Sequence, residues 1–188
     1  MAWGLRTDAV KKAPQRIETA RLLLTPPMAG DAGAIFSRYA SDPEVTRFLG
    51  WPRHRSVAET EAFLAFSAQE WTRAPAGPYL IWSRPGGVLL GATGLVAVDA
   101  GRAITGYVLA QDAWGKGYAT EALHAMVEVA RGIGVEQLNA VCHHQHRCSW
   151  RVLEKCGFTR DAGTHLTGFP NLSPVEQAAF SYTRRVTP

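Results

Sequence analysis

The run Trp114-Gly115-Lys116-Gly117-Tyr118-Ala119 constrains this 188-residue chain more than any other stretch. A strand-like segment, Ala103 to Ala110, leads into it. A helical pattern with Leu123, Met126, Val127 and Ala130 on one face leaves it and runs to about Arg131. A strand, a glycine-bearing turn and a helix in that order belong to folds that pack helices on a sheet. The two glycines let a bulky anion approach the main chain. The amides from Gly115 to Ala119 fall at a helix start, where unpaired N–H groups and the positive end of the macrodipole favour phosphate. Lys116 adds a mobile positive charge, so the run suits a pyrophosphate. It is not a nucleoside-triphosphate loop, because no Ser or Thr follows Lys116, and it lacks the three-glycine dinucleotide fingerprint.

The rest of the chain supplies the sheet. Ala20 to Thr25 reads as a strand stopped by Pro26-Pro27, after a loose polar lead-in over residues 1–16. Ala32, Ile35, Phe36 and Tyr39 mark a short helix that Asp31 is placed to cap. Ser56-Val57-Ala58-Glu59 matches a capping box, opening a helix with Leu64, Ala68 and Trp71 on its inner face. Pro78–Arg84, Val88–Val98 and Ala103–Ala110 read as antiparallel strands, the last two joined by a turn at Asp99-Ala100-Gly101-Arg102. After the central helix, ended by Gly132 and Gly134, come a strand from Gln137 to Cys142 and a helix placing Ser149, Val152, Leu153 and Cys156 on one face. Gly157 stops that helix, and Phe158 and Ala178–Arg184 close the sheet. The expected class is α/β or α+β, with one domain over residues 17–188.

Composition narrows the function classes. Twenty Lys and Arg against sixteen Asp and Glu leave a net charge of +4, scattered rather than blocked. That suits an anionic small ligand and argues against a nucleic-acid partner. Three cysteines in a chain of this length read as reduced thiols. With no signal-peptide core and no apolar run of membrane-spanning length, the expectation is a cytoplasmic protein with no membrane partner, monomeric or homodimeric.

Four signatures stand in order: Thr19-Ala20-Arg21-Leu22-Leu23-Leu24, Gly106-Tyr107, Trp114 to Ala122, and Arg151 to Phe158. Together they resemble the GNAT superfamily of N-acetyltransferases, in particular its ribosomal-protein-alanine N-acetyltransferase branch, over roughly residues 17 to 185. The resemblance implies a mixed, mostly antiparallel sheet flanked by helices and splayed between two central strands. It implies acetyl-CoA as acyl donor. The pantetheine arm would lie along Val108, Leu109 and Ala110, and the pyrophosphate on the stretch Trp114, Gly115, Lys116, Gly117, Tyr118, Ala119 and Thr120. Trp114 stands where the family usually has Gln or Arg, a change expected to matter little.

Two departures concern the chemistry. His146 stands three residues before Ser149, where relatives carry an Asn that holds the cofactor arm. Ile104 and Thr105 precede Gly106-Tyr107, where relatives often carry a glutamate base; Leu153 stands where other branches place a tyrosine acid. Ser149 is then the candidate to protonate the leaving thiolate, and His146 a candidate contact or proton acceptor. A backbone N–H at an expected Leu109–Ala110 bulge would polarise the thioester carbonyl.

Tyr107, Trp51 and Trp82 are candidate acceptor-site residues. The run Cys142-His143-His144-Gln145-His146-Arg147-Cys148 would, on a strand, align Cys142, His144 and His146, but it lacks standard zinc spacing, and no metal is expected. The reading is transfer of an acetyl group to a primary amine, either a protein or peptide N-terminus or a small amine, by direct attack in a ternary complex. The alternative is a degenerate acyl-CoA sensor of the same fold.

Overall fold

The computed structural model describes residues 12–73, 77–99 and 101–186. The proposed hairpin turn includes Ala100, which lies outside the described residues, as does most of the N-terminal lead-in.

Strand β1 (Ile17–Glu18) pairs with β2 (Leu22–Thr25), and β2 with β3 (Tyr79–Ser83). The long β4 (Leu89–Asp99) follows, then β5 (Arg102–Leu109). Every pairing so far is antiparallel. β5 then pairs in parallel with β6 (Gln137–His143), the only parallel step among the described residues. The edge consists of β7 (Thr159–Arg160), β8 (His165–Leu166) and β9 (Ala178–Arg185), with β7 and β8 both on β9. The sheet is mixed and mostly antiparallel, as expected.

Alternation along the strands sends side chains to two faces. On one face Tyr79, Ile81, Leu109, Leu138 and Tyr182 pack beneath α4 (Tyr118–Ile133) and α5 (Arg147–Lys155). The expected α4 stripe of Leu123, Met126, Val127 and Ala130 is buried there. On the other face Leu80, Leu89 and Val108 pack against α1 (Ala32–Ile35), the π-helical turn after it (Phe36–Ala40), α2 (Pro43–Thr46) and α3 (Val57–Arg73).

Several local expectations need correction. The Asp31 carboxylate accepts the Met28 N–H at 2.8 Å, closing the turn before α1 rather than capping it. In α3, Ala68 is exposed while Thr60 and Ser67 are fully buried beside Leu64, because the helix turns a polar pair inward. Half of the expected capping box forms, the Ser56 hydroxyl accepting the Glu59 N–H at 3.4 Å, while the Glu59 carboxylate accepts the Arg55 N–H at 2.9 Å instead of that of Ser56. The lead-in is docked at its end: Ala13 is buried, and the Pro14 carbonyl accepts the Tyr79 hydroxyl at 2.7 Å.

Candidate active site

The site forms where β5 and β6 separate. Their parallel pairing extends only over Arg102–Ile104 against Gln137–Asn139. β6 continues on β9 up to His143, while β5 continues on β4 up to Leu109. Between them opens the splay that the resemblance implied.

Register decides which backbone groups face it. Ala110 donates its N–H to Leu90 at 2.8 Å, so in an antiparallel ladder Val108 and Ala110 turn their backbone towards β4. Tyr107 and Leu109 turn theirs towards the splay. The expected arm-binding stretch Val108, Leu109 and Ala110 therefore divides, with only Leu109 facing the opening. Nor is there a bulge at Leu109–Ala110; the β4–β5 irregularity lies at the far end, between Ala97 and Asp99. The Leu109 carbonyl is itself taken, because the Trp114 indole N–H donates to it at 2.7 Å. Trp114 thus has a structural task at this position, tying the loop to the end of β5.

Beyond a 3-10 turn (Gln111–Ala113), Gly115 and Gly117 take φ values of +72° and +81°. This left-handed conformation is what requires glycine there. Gly117 is the N-cap of α4, and no side chain caps it; the first helical bond is Glu121 N–H to the Gly117 carbonyl at 3.1 Å. The amides of Tyr118, Ala119 and Thr120 are left pointing out of the helix end. The exposed Lys116 stands beside them. Such an end can hold an anion.

Across the splay, the Ser149 hydroxyl lies 2.8 Å from that of Tyr107, and the Tyr107 hydroxyl also donates to the Ser149 carbonyl at 3.2 Å. Burial pushes the Tyr107 phenol well above its usual pKa, the Ser149 contact offsetting this in part, so the phenol keeps its proton. Burial also pushes the Cys142 thiol up to about 11. Tyr182, another aromatic turned into this core, is fully buried, and its hydroxyl has no hydrogen-bond partner among the described residues. The expected strand Ala178–Arg184 puts it on β9, but sequence pattern does not show that its hydroxyl turns into this core.

The histidine run does not lie on one strand. β6 ends at His143, residues 144–145 turn, and His146 is the N-cap of α5. His143 is buried with its ring stacked on Phe48 (4.6 Å) and edge-on to Phe169 (5.0 Å). His146 lies 5.0 Å from the same Phe48. Burial, then the neighbouring His143, push His146 down to about 4. It is neutral at physiological pH and a weak base.

The wall carrying Phe48 is held by Asn171, a residue that no motif or periodicity singles out. Its amide donates to the Thr46 and Trp51 carbonyls, each at 2.8 Å, and its carbonyl accepts the Arg53 N–H at 2.8 Å. Trp51 packs at the edge of this wall, 5.3 Å from His54. Trp82 is on β3, separated from β5 by β4, and donates to Thr25 at 3.2 Å; it is not brought together with Ser149.

A family model described as an acetyltransferase (GNAT) domain matches residues 21–159, well over half of the chain and including both the splay and the helix start. The uncharacterized N-acetyltransferase YoaA of Bacillus subtilis (strain 168) is 26% identical over 171 residues, covering 89% of this chain and 96% of YoaA. RimL, a ribosomal L7/L12 alpha-N-protein acetyltransferase solved with coenzyme A, superposes with a TM-score of 0.78 at 20% identity, over 94% of this chain and 98% of its own. The spermidine N-acetyltransferase of Vibrio cholerae, solved with CoA and spermine, gives 0.76 at 15% identity, over 89% and 97%. At those identities the likeness to the solved structures is one of fold. The family match and the helix-start site agree: the chain belongs to the GNAT acetyltransferase family and is an acetyl-CoA-dependent N-acetyltransferase.

Proposed function

We propose that the enzyme acetylates an α-amine, at a peptide or protein N-terminus, by direct transfer from acetyl-CoA. The observation that carries this is the character of the splay's polar groups. Tyr107 and Ser149 bond to each other and His146 is neutral, while no Asp or Glu among the described residues hydrogen-bonds to any of the three. An α-amine of pKa about 7.7–8.0 is roughly one-tenth neutral at pH 7, whereas a lysine of pKa about 10.4 is almost wholly protonated. Polar groups with no carboxylate bonded to them favour the former.

The donor's pyrophosphate lies on the amides of Gly117 to Thr120, with Gly115 and Lys116 beside it, and its arm runs along Tyr107 and Leu109. The Leu109 N–H faces the thioester carbonyl. The amine enters past Phe48, Trp51 and His146, attacks the carbonyl carbon, and the C–S bond breaks. Ser149 gives its proton to the sulfur and regains one from the nitrogen, while the Tyr107 hydroxyl holds the Ser149 oxygen in place. The amide and free CoA thiol account for every atom.

Initial-rate kinetics of thiol release across a panel of amines tests this. Intersecting double-reciprocal lines with α-amine peptides are expected. Donor binding without turnover on any amine would instead support an acyl-CoA sensor.

A further inference from the structure

The Thr19–Leu24 signature plays no part in the chemistry above, yet it reaches the anion site. The Thr19 hydroxyl donates to Glu121 Oε1 at 2.5 Å, and the Arg21 backbone N–H donates to the same oxygen at 2.8 Å. The Arg21 guanidinium donates through Nε to Glu121 Oε2 at 2.7 Å and through Nη1 to the Lys116 carbonyl at 2.9 Å. It also lies over the Tyr118 ring, 4.8 Å from its centroid. One side chain therefore grips the carbonyl between the two left-handed glycines and the first turn of α4 together.

Two physical consequences follow. In a trans peptide the carbonyl and the next N–H point opposite ways, so turning the Lys116 carbonyl to Arg21 turns the Gly117 N–H away from it. Glu121 is the residue after the unpaired amides, and an unbalanced carboxylate there would repel an arriving anion. Burial alone would raise the Glu121 pKa, but the Thr19 hydroxyl and the Arg21 N–H and guanidinium outweigh it and hold the carboxyl below its usual value. Glu121 thus stays ionised, and Arg21 supplies the matching charge. Among the described residues no carboxylate pairs with Lys116, so Lys116 and the helix end offer positive charge to a ligand.

We propose that Arg21 is a positioning residue for the donor's pyrophosphate: it orients the Lys116–Gly117 peptide and cancels Glu121 at the mouth of the site. This rests on the reading that the pyrophosphate occupies this loop. The test compares dissociation constants for CoA and for pantetheine, which lacks the pyrophosphate, in the wild type, Arg21→Met and Arg21→Met/Glu121→Gln.

Arg21→Met is expected to weaken CoA about tenfold or more, the loss of charge-assisted hydrogen bonds, and to leave pantetheine within about twofold, the shift that spread over the whole site would not give. The double variant is expected to recover part of the CoA affinity, because the stranded carboxylate is gone. Arg21→Lys keeps the charge but cannot span both partners, so it should show a smaller loss confined to CoA. It serves if Arg21→Met does not fold. Equal weakening of both ligands, or an unchanged CoA constant, would overturn the proposal. A wild type that binds CoA no better than pantetheine would instead remove the pyrophosphate from the loop, and the proposal with it.

Discussion

Ser149 and Tyr107 come from distant parts of the chain, yet their hydroxyls meet at 2.8 Å. Burial holds the phenol protonated, and either hydroxyl can be the donor in the 2.8 Å contact; when the Tyr107 proton swings from the Ser149 carbonyl to the serine oxygen, the serine proton is released for the leaving sulfur. Ser149→Ala is expected to lower kcat by about 100-fold with little change in CoA affinity. Tyr107→Phe, which keeps the serine proton, should cost less. Steady-state kinetics with calorimetric CoA binding checks both, and an unaltered rate for Ser149→Ala would take Ser149 out of its role. His146 makes a separate prediction. Its folded pKa of about 4 lies below the ordinary 6.5, so between those values the unfolded chain binds more protons. Stability is therefore fully present above pH 6.5 and is lost as pH falls towards 4. Burial and His144 lower His143 as well, despite the Glu176 carbonyl opposing them, so it contributes in the same direction. Thermal melting of His146→Asn should show a shallower loss over that window; an unchanged slope would contradict a buried neutral His146.

At the scale of the element, α4 is bounded by left-handed glycines at both ends, Gly117 at +81° and Gly134 at +86°. Substituting alanine for either is expected to cost about 1–2 kcal/mol, since L residues disfavour that conformation. The two should differ in function. A Cβ on Gly117 would sit 3.3 Å from the Arg21 guanidinium, whereas one on Gly134 meets nothing within 4 Å. Both variants should melt earlier, but only Gly117→Ala should weaken CoA. Strand β4 carries a steric requirement of another kind. A Cβ on Gly91 would fall 1.9 Å from the Val108 carbonyl oxygen, which is why β4 can lie so close to the strand that frames the splay. The α4 stripe was legible in the sequence because its apolar residues follow the helical period. The inner face of α3 was legible only in part: Leu64 is buried and Trp71 packs on the core as expected, but Thr60 and Ser67 are buried where Ala68 was expected, Thr60 with its hydroxyl 2.8 Å from His54 Nδ1. Hydrophobic patterning cannot reveal a polar group whose partner lies on a loop.

The whole molecule joins two layers that the sequence does not connect. The order of strands and the loop before α4 were readable from periodicity and from family signatures. The direction of the β5 backbone groups was not, because it depends on pairing with β4, and Asn171 was not, because its partners lie more than a hundred residues away. Asn171 fastens the segment after β8 to the end of α2 and the loop that follows it, the loop that carries Phe48 against His143 and His146. Asn171→Ala should lower stability by about 1–3 kcal/mol, from the partly buried backbone groups left unpaired. It should raise the acceptor KM and leave the CoA dissociation constant unchanged; equal effects on both ligands would show that the two sides of the splay are not separate.

The most direct measurement is mass spectrometry of a peptide carrying both a free N-terminus and an internal lysine, incubated with the enzyme and acetyl-CoA near pH 7. Acetylation at the α-amine with the lysine untouched is the predicted result. Acetylation at the lysine, at a rate matching or exceeding that at the N-terminus, would contradict a site that relies on an acceptor already partly neutral.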